Sequence, residues 1–107
     1  MVEQRKTKRF QIKLPLRVVR RGSVRCLGRG ETRNLSARGV LFVSDSPMEV
    51  GERIEYVISW PTGGENQPVE LCCLGRVLRT GNAEQSSEPL FAVAASLERY
   101  EFLRPRS

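Results

Sequence analysis

Phe10-Gln11-Ile12-Lys13-Leu14-Pro15-Leu16-Arg17-Val18 is the stretch that decides the fold class. Every second residue is apolar, and Gln11, Lys13, Pro15 and Arg17 fall between them. A period of two marks a half-buried β-strand, because successive side chains of an extended chain point to opposite faces. Pro15 stands on the outer phase and has no N–H for a ladder, so an edge strand or a bulge is expected there.

The same alternation recurs outward from this segment. Gly22 breaks the chain, and a second short strand is expected from Val24 to about Gly28. Val40-Leu41-Phe42-Val43 reads as a third strand. Ser44-Asp45-Ser46-Pro47 and Gly51 punctuate a loop. Ile54, Tyr56, Ile58 and Trp60 alternate as a fourth strand closed by Pro61, and Gly63-Gly64-Glu65-Asn66 is a turn. Val69, Leu71, Cys73 and Val77 share one phase of a fifth strand. Gly75 occupies that phase too, where a missing side chain permits a bend or a close approach. Gly81 to Pro89 reads as a polar loop. Phe91, Val93, Ala95 and Leu97 alternate as a sixth strand, and Glu98 to Leu103 reads as one or two helical turns ended by Pro105.

Six strands joined by turns, with little helix, predict an all-β fold: a six-stranded antiparallel barrel with a short C-terminal helix. The chain divides into a flexible basic arm at 1–9, the barrel with its helix at 10–103, and a tail at 104–107. Phe42, Tyr56 and Trp60 lie in phases that also hold aliphatics and are expected in the core.

At 107 residues the chain suits one domain with a modest core. No apolar run approaches the roughly 20 residues of a membrane helix. Met1-Val2-Glu3-Gln4 lacks the apolar core of a signal peptide, so a cytoplasmic location without membrane insertion is expected. The three cysteines, Cys26, Cys72 and Cys73, come with no histidine. That is short of the paired ligands of a zinc site, and adjacent Cys72 and Cys73 on a strand face opposite ways. Reduced thiols acting as small hydrophobes are the expectation, with no metal and no cofactor. Without histidine the commonest general base is missing, and the acids are scattered along polar faces, so no catalytic site is expected.

Charge is distributed unevenly. Residues 1–21 hold eight basic residues (Arg5, Lys6, Lys8, Arg9, Lys13, Arg17, Arg20 and Arg21) against Glu3 alone, a net +7. Residues 22–107 hold ten basic and eleven acidic residues, a net −1. One end of the molecule is therefore expected to meet an anionic partner.

Within that end, Arg5 and Arg9 are four residues apart and can converge on one compact anion. Arginine suits the task because its planar fork pairs bidentately with phosphate and with the O6/N7 edge of guanine. Alone, the segment reads equally as a solvated basic tail. Asn34-Leu35-Ser36-Ala37-Arg38-Gly39 is the second feature. Asn34 donates and accepts, Ser36 offers a hydroxyl to a phosphate oxygen, and Gly39 is free to take a positive φ in a sharp turn. Alone, it reads equally as an ordinary hairpin loop.

Together, RxxxR followed by NxSxxG 25 residues after the second arginine resembles the PilZ domain family. Arg5, Arg9, Asn34, Ser36 and Gly39 carry the match. Gly51-Glu52, Gly75-Arg76-Val77-Leu78-Arg79 and Phe91-Ala92-Val93-Ala94 continue it in order, over about residues 5 to 103. Ala92 and Ala94 stand where the family often has glycine. The resemblance implies a six-stranded barrel with a C-terminal helix that binds cyclic di-GMP. It implies that Arg5 and Arg9 clamp guanines and phosphates from the arm, that Asn34 and Ser36 contact the ligand from the barrel, and that Gly39 shapes the loop. Gln4, Lys8, Arg38 and Arg76 are additional candidates, and the residue at Gln4 influences in the family whether one ligand or an intercalated pair binds.

Three functions follow. One is a cyclic di-GMP receptor that relays the signal to a downstream protein by ordering its arm. A second is a small basic barrel binding RNA or single-stranded DNA, against which the low aromatic content argues. The third is a PilZ-like adaptor that binds protein and no nucleotide.

Overall fold

The computed structural model describes residues 9–61, 69–83 and 90–103. Among these residues there are seven strands: β1 Pro15–Arg21, β2 Val24–Leu35, β3 Gly39–Ser44, β4 Arg53–Trp60, β5 Val69–Ala83, β6 Leu90–Ser96 and β7 Arg99–Leu103. Every pairing between them is antiparallel. The order β4-β1-β2-β3-β6-β5 closes through β4–β5 into a six-stranded barrel, and β7 adds to β5. Closure removes the open edges that a sheet of these strands would otherwise present.

The first alternating segment enters the barrel differently from its reading. Leu14, Leu16 and Val18 are buried as the period of two requires, but Phe10 is exposed. Regular pairing starts at Pro15, opposite Glu31. Before it, the side chain of Thr32 replaces a ladder: its Oγ1 accepts from the Leu14 N–H at 2.8 Å and donates to the Ile12 carbonyl. Pro15 therefore sits at the first position of an interior strand, where its missing N–H leaves no partner without a bond. The bulge of β1 lies at Val19 instead.

Two strands run further than expected. β2 runs on past Gly28 to Leu35, and β5 runs past Val77 to Ala83. Both continue through a bulge, at Arg33 in β2 and at Leu78 in β5. A bulge breaks the alternation on which the shorter readings relied. The expected turn at Gly63–Asn66 and the arm up to Lys8 lie outside the described residues.

The expected C-terminal helix is replaced by a strand. β5 is long enough to pair with β6 over its second half and with β7 over Glu70–Leu74. Unpaired N–H and C=O groups on that half of β5 are satisfied by a strand and not by a helix. Tyr100 and Phe102, two residues apart, lie on one side of β7 and meet edge-on at 6.4 Å, and Phe102 meets Trp60 at 6.5 Å.

The barrel interior holds Leu16, Val18, Val40, Phe42, Ile54, Tyr56, Ile58, Leu71, Cys73, Val77, Val93 and Ala95, with Met48 in the same cluster. Phe42 and Tyr56 stack at 6.1 Å, and the buried Tyr56 hydroxyl donates to the Ser96 carbonyl at 3.0 Å. Trp60 is partly buried against this cluster. Cys72 and Cys73 face opposite sides, and burial pushes the Cys73 thiol up to about 12. It packs as a small hydrophobe in its neutral form.

Candidate functional site

The bulge at Arg33 sets the geometry of the site. It shifts the register so that Asn34 lies opposite Leu41 and Leu35 opposite Val40. Leu41 lies opposite Ala94 on β6, and Ala94 opposite Arg79 on β5. Cross-strand partners share a face of the sheet. Asn34, Leu41, Ala94 and Arg79 thus form one row across four strands, with polar side chains at its ends and small or aliphatic ones between. Three inter-strand spacings make the row roughly 14 Å long. The neighbouring row, Leu35, Val40, Ala95 and Val77, is buried in the core.

The N-terminal segment is bridged to the end of this row. Phe10 and Leu35 exchange both backbone hydrogen bonds at 2.9 Å. Together with the Thr32 clip and a bond from the Thr32 N–H to the Leu14 carbonyl at 2.9 Å, this brings Arg9 beside Asn34.

The connection from β2 to β3 is a three-residue loop clipped by its own serine. Ser36 Oγ accepts from the Arg38 N–H at 3.2 Å and the Gly39 N–H at 3.3 Å, and donates to the Gly39 carbonyl at 3.3 Å. Its lone pairs and its proton both serve the loop, and a ligand oxygen that took the proton would displace the long bond to the Gly39 carbonyl. Gly39 has no positive φ, contrary to the expectation. Its lack of a side chain serves close packing instead: a Cβ there would lie 2.8 Å from the Ala95 carbonyl oxygen.

These residues line one cleft of about 250 Å³. Of the sequence-predicted site, Arg9, Asn34, Ser36, Gly39 and Arg38 are brought together in it. Arg5, Gln4 and Lys8 lie outside the described residues. Arg76 is not part of the cleft; it pairs opposite Arg53, and its N–H donates to Ser96 Oγ at 2.9 Å. Arg79, with Leu78, takes its place. The signal for Arg79 was present: a charged residue in the inward phase of Leu71, Cys73 and Val77 requires a bulge to reach the surface.

The electrostatics single out the same cleft. Arg17, Arg20 and Arg21, part of the basic N-terminal segment, are paired within the barrel with Glu70 at 3.0 Å, Glu55 at 3.0 Å and Glu52 at 2.8 Å. Their charge does not belong to the arm's excess. Among the described residues Arg9, Arg38 and Arg79 form no ion pair, and no carboxylate lines their cleft. A larger cleft of about 460 Å³ between β4, β5 and β7 has Arg99 in its walls beside Glu55 and Glu101, so its charge is mixed where that of the first cleft is of one sign.

A model of the PilZ domain family matches residues 3–101 of the chain. The structure of the Bacillus subtilis inhibitor of motility MotI/DgrA superposes with a TM-score of 0.70 at 19% identity. The likeness covers 94% of this chain and 45% of that one, so the chain spans less than half of that protein's length. At this identity the likeness is one of fold. No curated protein sequence matches the chain. No helix among the described residues is long and apolar enough to cross a membrane.

Proposed function

We propose that this chain, which belongs to the PilZ domain family, is a receptor for cyclic di-GMP that passes the signal to a partner protein. The observation that carries this reading is the cleft in which Arg9 and Arg38 stand by the row that runs from Asn34 to Arg79, with no acid among the described residues that line it. A dianion with flat guanine edges needs cations with planar forks and fixed polar groups beneath them. In this reading Arg9 and Arg5 reach over the ligand from the N-terminal side. Asn34 and the Ser36 hydroxyl, exchanging its bond to the Gly39 carbonyl for one to the ligand, hold it from the barrel, and Arg79 closes the far end. The small Ala94 leaves the middle of the row open. The ligand's charge gathers the like charges of residues 1–8 onto the cleft, and the rearranged arm is what the partner reads. The neighbour's name, inhibitor of motility, makes motility the first output to examine.

Calorimetric titration tests the reading. Cyclic di-GMP is expected to give a saturable heat at about 50 μM protein, and GMP and linear pGpG are not. No heat with cyclic di-GMP refutes the receptor. Displacement of the ligand by mixed-sequence RNA with a steep salt dependence favours nucleic-acid binding instead.

A further inference from the structure

The outer face of the β1–β2 hairpin carries two like-charge pairs that the fold does not require. Arg17 lies opposite Arg29, and Arg20 lies opposite Arg25. Like charges directly across an antiparallel pair destabilise it. Arg17 and Arg20 are relieved from the other side by Glu70 and Glu55. Arg25 and Arg29 are exposed, and among the described residues neither forms an ion pair. Between them on the same face of β2 stands Leu27, 66% exposed, and Val24 at the hairpin end is 64% exposed. An arginine, a leucine and a second arginine thus alternate along one strand, open to solvent. This stripe is the other end of the strand that bears Asn34, roughly 24 Å from it at the rise of an extended chain.

We propose that Arg25, Leu27 and Arg29 form a docking surface for an acidic partner protein, with carboxylates for the two guanidiniums and an apolar depression for Leu27. The composition favours protein over nucleic acid. The cations of the stripe are all arginine, which is enriched at protein interfaces where lysine is depleted. A bare leucine at the centre desolvates an apolar contact and offers nothing to a phosphate backbone. No aromatic side chain lies in the stripe to stack a base. The surface does not depend on the nucleotide reading of the cleft.

The test uses an extended peptide of about twelve residues in which glutamate alternates with leucine. Titrated into isotope-labelled protein, it is expected to shift the amides of residues 25–29 and to leave those of Asn34 to Gly39 in place. A glutamate homopolymer of equal length is expected to bind about tenfold more weakly, because Leu27 then buries nothing. The variant Arg25→Glu with Arg29→Glu is expected to lose the peptide and to keep its response to cyclic di-GMP. No shift at residues 25–29, equal binding of the two peptides, or stronger binding of mixed-sequence RNA at the same amides would overturn the proposal.

Discussion

Gly75 of β5 passes directly beneath Ser96, so closely that a Cβ on residue 75 would overlap the Ser96 carbonyl oxygen and stand 2.8 Å from its carbon. This crossing is where β6 ends and the chain steps over to β7 along the same edge of β5. Around it, Ser96 Oγ accepts from the Arg76 N–H at 2.9 Å, and the Leu74 carbonyl accepts from the Glu98 N–H at 2.8 Å. The Ser96 carbonyl itself accepts from Tyr56.

Gly75→Ala therefore sets a methyl group against backbone, which no side-chain rotation relieves. The variant is expected to lose about 3 kcal/mol of stability, at the upper end of overpacking. Denaturant unfolding measures it. A loss of less than about 1 kcal/mol would show that the β6–β7 step moves aside freely.

Thr32→Val tests the clip that holds the N-terminal segment. Valine keeps the shape, but the Leu14 N–H and the Ile12 carbonyl lose their partner. The expected cost is about 2 kcal/mol, as for buried polar groups left without a bond. Hydrogen exchange at the Leu14 amide is expected to quicken more than exchange in β3. Uniform quickening would assign Thr32 to general packing and not to the clip.

How far the sequence reveals this molecule depends on where its period breaks. Strands with unbroken apolar alternation, such as Ile54 to Trp60, are legible because the in-phase residues Ile54, Tyr56 and Ile58 are the most deeply buried. Gly75 is legible as a close approach because it stands in an inward phase. The bulges at Arg33 and Leu78 are not, since one extra residue leaves composition unchanged while it reverses every later side chain. Of the site, Asn34, Ser36 and Gly39 are legible as a motif. Arg79 is reached only by asking how a charge in the inward phase of Val77 escapes the core, and Arg76, a further candidate by sequence, lies outside the cleft. The helix expected at Glu98–Leu103 fails because the need of the β5 edge for a partner is a tertiary fact, absent from local spacing.

Acid is expected to weaken the barrel through Glu52. Arg21 holds it by two bonds, Nε to Oε2 at 2.8 Å and an Nη to Oε1 at 2.9 Å, and these lower its pKa below the usual carboxylate value, against a smaller opposing effect of burial. A carboxylate depressed by folding contributes stability that is complete above its unfolded pKa and is lost as pH falls through the folded one. The contribution is therefore expected to be full above about pH 4.5 and to fade below it. Glu52→Gln should cost about 1 kcal/mol at neutral pH and flatten this part of the acid limb. An unchanged limb in urea melts between pH 3 and 5 would move the acid response to other carboxylates.

Arg79 and Arg76 give the sharpest contrast, because they are three residues apart on one strand and differ only in what the bulge does to them. Arg79 shares the outer row with Ala94 and lines the cleft, and Arg76 lies opposite Arg53, away from it. Arg79→Ala removes a cation with no competing ion pair among the described residues, so the loss falls on an anionic ligand. It is expected to weaken cyclic di-GMP binding about 30-fold, the size of a charged hydrogen bond, with the fold intact. Arg9→Ala is expected to lose about 100-fold, because in the proposed binding mode that residue also joins Arg5 in reaching over the ligand. Arg76→Ala is expected to change binding by less than about twofold, since its backbone N–H, which is what Ser96 uses, survives the substitution. Titration of the three variants decides it. Equal losses at 76 and 79 would mean the ligand responds to the charge of the strand as a whole and not to the row that ends at Arg79.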